Sequence, residues 1–97
     1  MYVTILSGRV ADENWRGLES SFEQVIKHPP QGILSSTLIQ CQGEPKLWQI
    51  ITTWKSHAAY KEAQEQKITS ICYDLFCNAG TTPHHNEFKV HAKYTRV

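Results

Sequence analysis

Two strand-like runs in the middle of the chain, 33–41 (ILSSTLIQC) and 46–54 (KLWQIITTW), are separated by only Gln42, Gly43, Glu44 and Pro45. A connection of that length joins antiparallel neighbours. An amphipathic, helix-length segment lies on each side of this hairpin, and a further strand-like run lies beyond each. The order β-α-β-β-α(α)-β restricts the chain to very few topologies. It is the split βαβ pattern of the ferredoxin-like α+β fold, an antiparallel sheet with helices on one face.

The first run, 2–10 (YVTILSGRV), is rich in β-branched and aromatic residues. Asp12 follows as an expected N-cap, with Glu13 in the first turn. Trp15, Leu18, Phe22, Val25 and Ile26 then recur at helical spacing. Gly17 inside this helix costs about 1 kcal/mol relative to alanine, which predicts close packing there. His28, Pro29, Pro30, Gln31 and Gly32 end the helix, since proline cannot continue the ladder. After the hairpin, Ser56 is placed to cap a helix through Tyr60 and Ala63, and the apolar pattern resumes at Ile68, Ile71, Cys72, Leu75 and Phe76. The polar stretch 62–67 contains no breaker, so one kinked helix or two short ones would fit, and two are favoured. Gly80 supplies a C-terminal stop. Residues 81–86 read as a polar loop, and 87–97 (EFKVHAKYTRV) alternate as a last strand.

Ninety-seven residues suffice for one domain, 1–97, and not for two. Ten Lys+Arg against nine Asp+Glu, with no run of like charge, give none of the concentrated basic surface that nucleic-acid binding requires. No apolar stretch nears the ~20 residues that span a bilayer, and the N-terminus reads as a strand, so a cytoplasmic protein without membrane contact is expected. Cys41, Cys72 and Cys77 are odd in number and irregular in spacing, as in a reducing compartment. On a helix Cys72 and Cys77 would lie about 140° apart, which suits no disulfide.

Apolar residues occupy both parities of the strands, among them Val3, Ile5, Leu34, Leu38, Trp48, Ile50 and Ile51. Helices cover only one face of such a sheet. A second layer, most simply another copy of the chain, is expected on the other.

Three segments resemble the dimeric α+β barrels of the antibiotic-biosynthesis-monooxygenase type. They are Arg9-Val10 before the helix with Leu18 and Phe22, Gly32 opening the second strand, and 53–60 (TWKSHAAY). The resemblance covers nearly the whole chain. It implies a homodimer whose sheets meet face to face, and a pocket between sheet and helices in each subunit. It further implies a cofactor-independent monooxygenase acting on a small aromatic or quinol-type compound, or a non-catalytic ligand-binding or assembly module of the same fold. Haem-degrading members of the family place an asparagine where this chain has Leu6-Ser7, and a histidine ligand on the helix after the tryptophan, whereas 58–80 contain none. Other members carry a histidine near the position of Ala63. Haem degradation is accordingly disfavoured, and no cofactor is expected.

Against that frame Trp54, His57 and His91 are the candidate catalytic residues. Trp54 either walls the pocket and offers its indole N–H, or anchors the next helix cap as a core residue. His57 is a base or a solvated first-turn residue. His91, between Lys89 and Lys93 on the last strand, is placed to enter the pocket or the subunit interface. Trp48, Tyr60, Leu6 and Cys72 form the expected ligand-contact set, Cys72 lying on a strongly apolar face where its thiol is inert. His84 and His85 sit in the polar loop with no partner at ligand spacing, so no metal site is expected.

Overall fold

A computed structural model describes residues 1–96. Four strands, β1 (Tyr2–Arg9), β2 (Ile33–Gln40), β3 (Leu47–Trp54) and β4 (His84–Lys89), form one sheet in the order β2-β3-β1-β4, every pair antiparallel. Three helices, α1 (Trp15–Val25), α2 (His57–Glu65) and α3 (Ser70–Asn78), complete the ferredoxin-like α+β fold.

Period-2 alternation decides what faces the helices. On β3, Trp48, Ile50, Thr52 and Trp54 are buried while the residues between them are half-exposed. On β1 the buried set is Thr4, Leu6 and Gly8. The main core gathers Leu6, Val10, Leu18, Phe22, Trp48, Ile50, Leu75, Phe76 and Ala79, with Phe76 fully enclosed. A second, smaller cluster of Trp54, Tyr60 and Ala63 lies under α2. Burying a side chain of the size of Phe76 or Leu18 stabilises by roughly 1.5–3 kcal/mol each, so the main cluster carries most of the apolar gain.

Helix ends follow from local chemistry. Ser56 caps α2 by accepting from the Ala59 amide at 3.1 Å, as expected. Asp12 does not cap α1. It opens a 3₁₀ turn, Asp12–Asn14, without any side-chain cap bond, and the α-helix begins only at Trp15. The Trp15 indole instead donates to the Val10 carbonyl at 2.8 Å, and Asn14 Nδ2 to the Ala79 carbonyl at 3.2 Å, tying the start of α1 to the end of α3. The α-helix thus starts two residues later than an Asp12 cap would have set it. Gly17 packs against nothing, because it lies on the solvent face of α1.

The two-helix reading of 57–78 holds, and the break has a defined geometry. Lys67 takes φ 61°, the Lys67 amide bonds to Gln64 O at 3.0 Å, and the Ile68 amide bonds to Ala63 O at 3.0 Å. This is a Schellman motif with lysine in the left-handed position, sealed by Ile68 packing on Ala63. α3 ends the same way around Gly80, at φ 88°.

The last strand differs from expectation at both ends. It begins at His84, inside the stretch read as a loop, and stops at Lys89. Its only neighbour is β1, whose Tyr2 pairs with Lys89, and the last ladder bond runs from the Val90 amide to Met1 O. Beyond that, among the described residues, 91–96 have no strand to pair with. Val97, the end of the expected strand, lies outside the described residues.

Candidate functional site

A cavity of about 340 Å³ separates the two hydrophobic clusters. The break between α2 and α3 creates it. α2 lies over Trp54 and α3 over the main core, and the space is roofed by Ile68 from the turn between them and by Ile71, Cys72 and Tyr73 from the start of α3. Val25, Ile26, Pro29 and Pro30 close one side. The sheet forms the floor. A register shift at Leu34 lets both Ile33 and Ser36 face the helices, while Leu34 itself is 56% exposed.

Four of the expected site residues meet here. Trp54, Tyr60, Leu6 and Cys72 all line the cavity. The Trp54 indole is not free, since it donates to Thr4 Oγ1 at 3.1 Å. Its ring meets Tyr60 nearly edge-on at 5.3 Å, so it serves as wall and packing partner together. Burial raises the Cys72 thiol, in keeping with an inert contact residue.

The other three lie elsewhere. Trp48 packs in the main core against Trp15, at 6.0 Å between rings, and does not line this cavity, because its strand position falls under α1. His57 is exposed on the first turn of α2, its ring 4.7 Å from that of Tyr2 and tilted 58° to it. His91 is exposed and beyond the end of β4, since β1 offers no partner to carry the strand that far.

His85 was missed. With β4 starting at His84, His85 pairs opposite Leu6 and Glu87 opposite Thr4, both on the helix-facing side. His85 lines the cavity. The Tyr60 hydroxyl lies 3.3 Å from His85 Nε2 and 3.3 Å from Glu87 Oε2, and Tyr2 donates to Glu87 Oε1. One phenol hydrogen cannot serve two acceptors. The carboxylate is the stronger acceptor, so Tyr60 donates to Glu87 and receives from the Nε2–H of His85. That tautomer leaves Nδ1 of His85 with a free lone pair, 4.0 Å from Glu87 Oε2. Burial first, and then the neighbouring Glu87 charge, push the Tyr60 phenol up to about 12. The Tyr2 hydrogen bond is the main reason Glu87 is held below the usual carboxylate range. The alternation His85, Glu87, Lys89 was present in the sequence, but the assumed loop at 81–86 concealed it.

Among the described residues no cluster of His, Cys, Asp or Glu could hold a metal ion, the three cysteines are unpaired, and no helix is long and apolar enough to cross a membrane. The arrangement can bind a small apolar ring system, accept a proton at an imidazole backed by a carboxylate, and offer hydroxyl groups to a ligand oxygen.

No protein-family model and no curated protein matches the sequence. Solved structures do match it. A Deinococcus radiodurans protein, provisionally named an antibiotic biosynthesis monooxygenase, aligns over 100% of this chain and 99% of its own at 12% identity, with a TM-score of 0.76. SnoaB, a cofactor-independent oxygenase from Streptomyces nogalater, aligns over 98% of both chains at 18% identity and TM-score 0.70. A variant of MhuD with two manganese protoporphyrin IX molecules bound per active site aligns over 99% of this chain and 100% of its own, at 18% identity and TM-score 0.74. At such identities the likeness is one of fold. The chain has the fold of the antibiotic biosynthesis monooxygenase structures across the whole of its sequence.

Proposed function

We propose that the protein is a cofactor-independent monooxygenase of a small aromatic, quinol-type compound, working as a homodimer. One observation carries the reading. The largely apolar cavity, which His28 also lines, carries on its β4 side the His85 imidazole with Glu87 Oε2 4.0 Å from its Nδ1, beside the aromatic wall of Trp54 and Tyr60. An ionisable phenol bound there loses its proton to His85 Nδ1, and Glu87 stabilises the imidazolium that forms. The electron-rich anion supplies the electrons that reduce O₂. One oxygen atom enters the ring carbon as a carbonyl, and the other leaves as water with the protons released by the substrate.

The dimer rests on the sheet's uncovered face. Val3, Ile5, Ile51, Ile39 and Phe88 lie there, the last two 38% and 48% exposed, among serine and threonine residues. Haem degradation has less support, because the helices that roof the cavity carry only the exposed His57.

Oxygen-electrode measurements with a panel of hydroquinones and naphthols test the enzymatic reading. The native protein is expected to consume O₂, and His85→Gln to slow it by about 10²–10⁴-fold. Uptake equal in both proteins, or absent from the native one, removes the oxygenase. Ligand binding without uptake would leave a binding module.

A further inference from the structure

Thr4 and Thr52 are the buried polar residues of the described chain, at 8% and 6% exposure, and both lie in the cavity floor. Strand register explains their grouping. Ser36 pairs with Thr52, Thr52 with Thr4, and Thr4 with Glu87, so one continuous polar row crosses all four strands on the helix-facing side. The neighbouring row in the same direction, Leu38, Ile50, Leu6 and His85, is apolar until it reaches His85.

The Thr4 hydroxyl accepts the buried Trp54 indole N–H, whereas Ser36 and Thr52 have only each other as side-chain partners among the described residues. Valine has the shape of threonine, suits a strand as well, and avoids the cost of burying an O–H. The hydroxyls do not satisfy one another completely. Ser36 Oγ and Thr52 Oγ1 lie 3.0 Å apart and share one hydrogen, which leaves the other hydrogen of the pair unused. Thr4 Oγ1 accepts from the Trp54 indole, and its own hydrogen finds no side-chain acceptor among the described residues. Accepting from the indole makes Thr4 a better donor. Two O–H donors therefore remain in the floor, while the β4 wall carries the imidazole of His85.

We infer that the Ser36–Thr52–Thr4 row selects the ligand by its second oxygen: the cavity takes a hydroxy-carbonyl aromatic, its acidic hydroxyl at His85 and its carbonyl oxygen over the hydroxyl row. His85 on β4 and Thr52 on β3 stand two strand spacings apart, about 10 Å, which spans a two-ring compound with an oxygen at each end. A cavity of about 340 Å³ is at the small end for ligand sites. The inference shares its cavity with the oxygenase reading, and needs no turnover.

Equilibrium binding tests it with three redox-stable probes. These are a hydroxytetralone with phenol and ketone at opposite ends, tetralone without the hydroxyl, and tetrahydronaphthol without the ketone. The native protein is expected to bind the hydroxytetralone most tightly. Thr52→Val and Ser36→Ala are expected to weaken the two ketones about 3- to 10-fold and to leave tetrahydronaphthol unchanged. A general loss of structure would weaken all three alike, so the discrimination between probes is the readout. Equal weakening of every probe, no weakening of any, or no binding of the hydroxytetralone overturns the inference. Correct discrimination without oxygen uptake would retain the hydroxyl row and remove only the oxygenase.

Discussion

A carboxylate that accepts from two phenols is held ionised by contacts that also keep the phenols neutral. Glu87 stands in that position toward Tyr2 and Tyr60. Its lowered pKa means that its ionised form supports the fold at neutral pH, and that this support is lost as the pH falls through its folded value. Tyr60 has the opposite sign. Its neutral form supports the fold fully below the ordinary phenol value of 10.0, and the support is lost as the pH climbs toward about 12. Replacing Glu87→Gln removes the charge and leaves the burial, so the Tyr60 titration is expected to move part of the way back toward 10.0. Tyrosinate absorbance against pH, compared with a Tyr60→Phe protein to identify the band, checks this. A Tyr60 titration that stays in place would mean that burial alone sets it.

At the scale of elements, the cavity depends on a helix break that carries neither glycine nor proline. Lysine at φ 61° in the Schellman position of α2 is strained, because its Cβ crowds the following carbonyl. Lys67→Gly is expected to stabilise the protein by about 1 kcal/mol, read as a higher urea midpoint at unchanged slope. Loss of stability would show that the lysine side chain compensates for its backbone. At the other side of the cavity mouth, Gly32 has φ 93°, and a Cβ there would lie 2.8 Å from Ala59 Cβ. Only glycine lets the chain leave the two prolines and enter β2 so close beneath α2.

For the molecule as a whole, the proposed dimer rests on the uncovered face of the sheet. Ile5 and Ile51 are paired directly across β1 and β3 on the side without helices. They make no contribution to the core clusters. Ile51→Asp should therefore leave the monomer fold intact and disrupt the dimer. Sedimentation is expected to give twice the chain mass for the native protein at micromolar concentration, and the single-chain mass for the variant. A native protein that sediments as one chain would refute the homodimer.

Local pattern determined the elements and their order. Alternation marked Trp48, Ile50 and Trp54, Ser56 announced its cap, and Gly80 its stop, because in each case the cause lies within a few residues of the effect. The expected site set, drawn from the family-like segment and the apolar faces, held Trp54, Tyr60, Leu6 and Cys72 together with Trp48, His57 and His91, and only the first four line the cavity. Position along a strand does not say where the partner strand ends, nor which part of a helix layer lies above. The extent of β1 fixed the last strand at His84–Lys89, bringing His85 into the cavity and leaving His91 outside it. The packing of α1 claimed Trp48 for the core. Register between strands distant in sequence aligned Ser36, Thr52, Thr4 and Glu87. Side-chain period is a local property of the backbone, whereas adjacency across a sheet is settled only when every strand has its neighbour.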